Sequence, residues 1–98
     1  MSDDVNETSI QLEKIIHPLP AMHLAQLTAF AFGLPPLYFC REYQPLDQQS
    51  IIQHCQQRLL NLLKNQEITL QQLKSLLAEK EFFDAEEASL RVGPELIV

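Results

Sequence analysis

The feature that most constrains this chain is the apolar spacing between Leu46 and Phe83. Ile52, Cys55, Leu59, Leu62 and Leu63 recur at helical intervals, and Leu70, Leu73, Leu76 and Leu77 repeat the pattern after a polar break. That period belongs to a helix with one buried face; a half-buried strand alternates every second residue instead. Asp47 is a good cap for the first helix, which the pattern carries to about Lys64. Asn65 is placed to end it in a left-handed conformation. The second start is marked twice, because Thr69 with Gln72 fits a capping box and Ile68 with Leu73 fits the hydrophobic staple around it. A link this short predicts two helices folded back on each other. The expected fold class is all-α: a small single-domain helical bundle of four to five helices built around an antiparallel helical hairpin, about 47–64 and 70–82.

The rest of the chain reads as cover for that pair. Residues 1–7 are polar and acidic and are expected to form a disordered tail, leaving 8–98 as a single helical domain. Thr8 with Gln11 fits a capping box for a first helix whose apolar stripe is Leu12, Ile15 and Ile16. His17-Pro18 ends it, since the residue before proline is pushed out of the α region. Pro20 suits the first position of a helix over Ala21 to Phe32, which is apolar on nearly every side and interrupted only by His23, Gln26 and Thr28. A helix with so little polar face belongs near the centre of a fold. Gly33 stops it. Pro35-Pro36 then excludes regular helix, and a short helix opening at Pro36 is expected to carry Leu37, Tyr38, Phe39, Cys40 and Tyr43. Asp84 with Glu87 repeats the cap signal and predicts a last helix over Ala85 to Val92, stopped by Gly93-Pro94. The final Leu96, Ile97 and Val98 have no evident place in one core.

Composition narrows the function. A net charge of -6 lacks the Lys/Arg footprint that nucleic acid or an anionic membrane surface requires. No Asp, Glu, Lys or Arg occurs between Ile15 and Cys40, yet four prolines break that stretch and no basic cluster flanks it, so no membrane span is expected. The acidic N-terminus shows no secretory pattern, and Cys40 and Cys55 make no disulfide framework. Buried free thiols in a cytoplasmic protein are the expectation.

Candidate chemistry is sparse. His54 and Cys55 are adjacent on one helix and point about 100° apart, so they do not share an ion easily. Cys55 is expected in the core and His54 at the surface. Cys40-Arg41 places a cation beside a thiol, a weak signal for a nucleophile. With Gly33 and Gly93 the only glycines, a phosphate-cradling loop is missing. Neither metal nor cofactor is expected. What remains is surplus apolar surface, which usually marks a partner site. The expected function is a non-catalytic protein-protein interaction module, an adaptor, assembly factor or small regulatory subunit, presenting an apolar helical surface to a protein partner or to itself as a homo-oligomer. Its candidate contact residues are Leu37, Tyr38, Phe39, Tyr43, Leu60, Leu96 and Ile97. The alternative rests on the acidic run Glu79, Glu81, Asp84, Glu86 and Glu87: an inhibitor or nucleic-acid mimic that occupies a basic site on another protein.

Overall fold

A computed structural model describes residues 2–43 and 46–92. Among these, the regular structure is entirely helical: α1 (Ser2–Ile16), α2 (Ala21–Ala31), α3 (Tyr38–Tyr43), α4 (Gln48–Lys64), α5 (Leu70–Glu79) and α6 (Ala85–Val92). The all-α expectation holds, with six helices where four or five were expected.

α1 is longer than its cap signal suggested. It begins at Ser2, so most of the stretch expected as a tail is helical, and Thr8 lies inside the helix rather than before it. Gln11 Nε2 donates to Glu7 Oε1 at 3.3 Å along the helix face instead of closing a box with Thr8. At the start of α2, Pro20 is the residue before the helix, with φ -61° and ψ 155°, and its carbonyl accepts the Leu24 N–H at 2.9 Å. α3 opens at Tyr38 rather than Pro36, after a turn in which the Tyr38 N–H reaches the Pro35 carbonyl at 3.0 Å.

Helix ends follow the local chemistry closely. Past α2, Gly33 takes φ +75°, its N–H donates to Phe30 and the Leu34 N–H donates to Ala29, which is the Schellman pattern. The same pattern closes α4, but the left-handed residue is Gln66 at φ 61°, not Asn65. Its N–H donates to Leu63 and the Glu67 N–H to Leu62. Asp47 caps α4 through the Ser50 N–H at 2.8 Å. Both halves of the Thr69–Gln72 capping box form at the start of α5, at 2.8 and 3.1 Å. Ile68 and Leu73 beside it are buried together in the core. α5 stops at Glu79, short of the expected 82, because Lys80 turns extended. At α6, Asp84 Oδ1 accepts the Glu87 N–H at 2.8 Å.

The core is centred on α2, as expected of a helix with so little polar face, with the α4–α5 pair packed around it. Leu24, Ala25, Leu27 and Ala29 are buried, and α2 packs against α3, α4, α5 and α6. α1 lies on α4 and, less extensively, on α5. α4 and α5 are joined by a tight turn, yet each packs more on α2 and α1 than on the other. The reason is in the residue types. α2 presents apolar side chains all round and must be covered on several sides, whereas α5 fully buries only Leu73 of its own side chains. No helix among the described residues is long and apolar enough to cross a membrane.

Candidate functional site

Two neighbourhoods concentrate polar and aromatic groups around α2. The first lies where α3 meets α4. The α3 spacing puts Phe39 and Tyr43 on one face, four residues apart and turned into the core. Their rings stack at 5.9 Å and 22°. Tyr38 meets the Phe39 ring edge-on at 5.2 Å, and Phe32, just past α2, meets it edge-on at 5.6 Å. Such edge-to-face pairs complement the ring quadrupole and hold the rings in place. Arg58 of α4 closes the cluster from the side. Its guanidinium lies 4.5 Å from the Phe39 centroid and its Nη2 is 2.8 Å from Glu42 Oε2. This cation–π contact joined to an ion pair fixes α3 on α4. Tyr38 remains 52% exposed and Phe32 39% exposed, so an aromatic ridge faces solvent.

Beneath that ridge lie the two thiols. Burial pushes Cys40 and Cys55 up to about 11, and the proximity of Cys55 adds to the rise at Cys40. The Thr28 and Tyr43 hydroxyls beside Cys55 offset only part of its shift. Both thiols are free and stay protonated at neutral pH, which removes the nucleophilic form. Thr28 bonds back to the Leu24 carbonyl at 2.8 Å. Burial, followed by the Cys55 charge, raises Tyr43 to about 12. Its hydroxyl is buried and meets no hydrogen-bond partner of good geometry among the described residues.

The second neighbourhood was not foreseen. Gln26 is 0% exposed in the middle of α2. Its Nε2 donates to the Phe83 carbonyl at 2.7 Å, and the Phe83 N–H donates to its Oε1 at 2.8 Å. Nε2 also donates to the Met22 carbonyl at 3.1 Å. One side-chain amide thus pairs with one backbone amide, as two strands would. Phe82 next to it sits 5.7 Å from the His23 ring and 5.5 Å from Phe30, the latter edge-on. Lys80 Nζ lies 5.4 Å from the Phe30 centroid.

The candidate contact residues are therefore dispersed in character. Phe39 and Tyr43 belong to the core, Leu37 and Leu60 are half-buried against it, and Tyr38 is exposed. Leu96 and Ile97 lie outside the described residues. Cys55 is core and His54 exposed, as expected. Among the described residues, no group of three or more His, Cys, Asp or Glu side chains could hold a metal ion. Sequence reasoning passed over Phe32, Arg58 and Gln26. For Gln26 a signal existed, a lone amide at the centre of an apolar helix. No family model, no curated protein and no solved structure matches the chain.

Proposed function

We propose that this chain is a non-catalytic interaction module that docks a protein partner through the exposed aromatic ridge of Tyr38 and Phe32. The observation behind this reading is the contrast within one cluster. Phe39 is buried and clamped by Arg58, while Tyr38 and Phe32, held edge-on against it, stay in water. Rings already fixed in the unbound state lose little conformational entropy on docking, and aromatic anchors carry much of the energy of protein interfaces. The protonated, buried thiols supply no nucleophile at neutral pH, which supports a non-catalytic role. A second reading has its own support. Glu79, Glu81, Asp84 and Glu86 are all exposed around the start of α6, as an acidic surface for a basic site would need.

The test is affinity capture from the native cell with wild-type protein and two variants, Tyr38→Ser with Phe32→Ser, and Glu79→Gln with Glu86→Gln. Partner retention should fall at least tenfold for the aromatic pair and change little for the acidic pair or with 0.5 M salt, on the order of the energy carried by one interface anchor. Loss with the acidic pair and with salt would transfer the proposal to the second reading. Unaltered capture by all variants would remove both.

A further inference from the structure

α5 carries apolar surface that its neighbours leave half-covered. Leu70, Leu73, Leu76 and Leu77 line one side of it, yet of these Leu73 alone is fully buried. Between this helix and the end of α2 runs a groove of about 330 Å³, lined by Phe30, Ala31, Glu67, Ile68, Gln72, Ser75 and Leu76. Ile68 is buried and Phe30, Ala31 and Leu76 are half-buried, so the floor is apolar, while Glu67 and Gln72 are exposed at the rim. Ile68, Gln72, Ser75 and Leu76 fall at helical spacing, so the groove follows the α5 axis. Charge sits at its two ends. Glu67 lies at the Ile68 end, and Glu79, four residues past Ser75 on the same face of α5, lies at the other. Both are exposed, and neither meets a cation among the described residues. Lys80 is turned onto the Phe30 ring, its Nζ 5.4 Å from the centroid, and Glu79 and Glu81 flank it in sequence, so that end keeps one negative charge. Lys74, the other cation of this stretch, falls on the opposite face of α5. At the helical rise the two ends are about 18 Å apart, the length of a twelve-residue helix.

The walls set what fits. Both are helices, whose backbone N–H and C=O groups are bonded internally, so no sheet edge is offered to an extended peptide. The floor carries no charged group to fix a small polar ligand. A third helix laid along α5 puts an apolar stripe on Phe30, Ile68 and Leu76, and cations near its two ends meet Glu67 and Glu79. We propose that this groove takes a basic amphipathic helix of a protein partner, about three turns long, apolar on one face and carrying Lys or Arg at each end. The net charge of -6 favours encounter with a basic segment from any direction. This inference does not rest on the Tyr38 ridge.

The probe is a blocked peptide, Lys-Leu-Gln-Ala-Leu-Leu-Gln-Ala-Leu-Gln-Ala-Lys, compared with a twin that has Glu at both ends. Each is titrated into the isotope-labelled full chain while methyl and ring signals are followed. The Lys-ended peptide should shift Phe30, Ala31, Ile68 and Leu76 and bind about tenfold more tightly than its twin at low salt, with the gap closing as salt is raised. Glu67→Gln with Glu79→Gln, both at exposed positions, should keep the wild-type circular dichroism and bring the two peptides to within about threefold of each other. Equal binding of both peptides to the wild-type groove would overturn the proposal, as would a difference that survives in the double variant. Tighter binding of the Glu-ended twin would overturn it in favour of an acidic partner held by Lys80. Shifts centred on Tyr38 and Phe32, or no shifts at all, would overturn it too. So would concentration-dependent shifts of the groove methyls in the chain alone, which would mean that a second copy fills it.

Discussion

Cys40 and Cys55 report on burial through their protons. Each is raised from 9.0 to about 11, chiefly by desolvation, with Cys55 also raising Cys40. A folded-state value above the unfolded one means that the native chain holds the proton more tightly. The associated stability is intact below pH 9 and is lost as pH rises toward 11. Urea unfolding across that window should show stability falling by up to about 1.4 kcal/mol per pH unit for each thiol. Cys40→Ala with Cys55→Ala should flatten the slope, although the variant starts from lower stability; an unchanged slope would contradict the burial. The thiols were legible in the sequence because each lies in an apolar run. Gln26 was legible only in part. Its place in an apolar helix announces a buried amide needing partners, but the partner is a backbone group 57 positions away. Backbone atoms leave no mark on residue type, so the pairing could not be read from the chain.

Helix ends show which local signals suffice. Asp47, Thr69 with Gln72, and Asp84 act as caps where their types and spacing placed them. Each satisfies an N–H within three residues, so no distant contact is needed to make it work. The end of α5 was missed because Lys80 leaves the helix where Phe82 and Phe83 engage α2, a tertiary cause. α4 ends at Lys64 as expected, and only its left-handed position was misplaced, by one residue. Gln66 rather than Asn65 takes the left-handed position, and it carries a side chain at φ 61°. Replacing it by Gly should relieve backbone strain and raise stability by about 0.5–1 kcal/mol in urea unfolding. Gly33 is the mirror case, at φ +75° with no atom within 4 Å of an added Cβ. Gly33→Ala should lower stability by about 1 kcal/mol through strain alone, with no clash to relieve. Equal effects of the same sign at both sites would show that these two turns do not close their helices as described.

At the scale of the whole molecule, the sequence carries two signals of different kinds, one for the hairpin and one for the central helix α2. The leucine spacing of 52–77 is the strongest periodic signal, and it drew the organising role to the hairpin. Periodicity is strongest where only one face is buried; a helix buried on several sides has little amphipathic contrast. The signal is therefore weakest at α2, the element that packs against four others. Residues 15–40 advertised this differently, by lacking charge altogether. A core centred on the hairpin and one centred on α2 predict different costs for the same substitution. Leu27 is fully buried in α2, whereas Leu77 of α5 is half-buried at the rim of the core. Leu27→Ala removes the same atoms as Leu77→Ala but leaves a cavity walled by packed neighbours. It should cost about 3–5 kcal/mol, against about 1–2 kcal/mol at the rim, where water can enter and side chains can relax. Small domains hold roughly 5–15 kcal/mol in total, so the first variant should approach the unfolding threshold and the second should not. Urea midpoints at constant m-value read the difference directly. If Leu77→Ala proved the costlier of the two, the centre of this protein would lie between α4 and α5 after all.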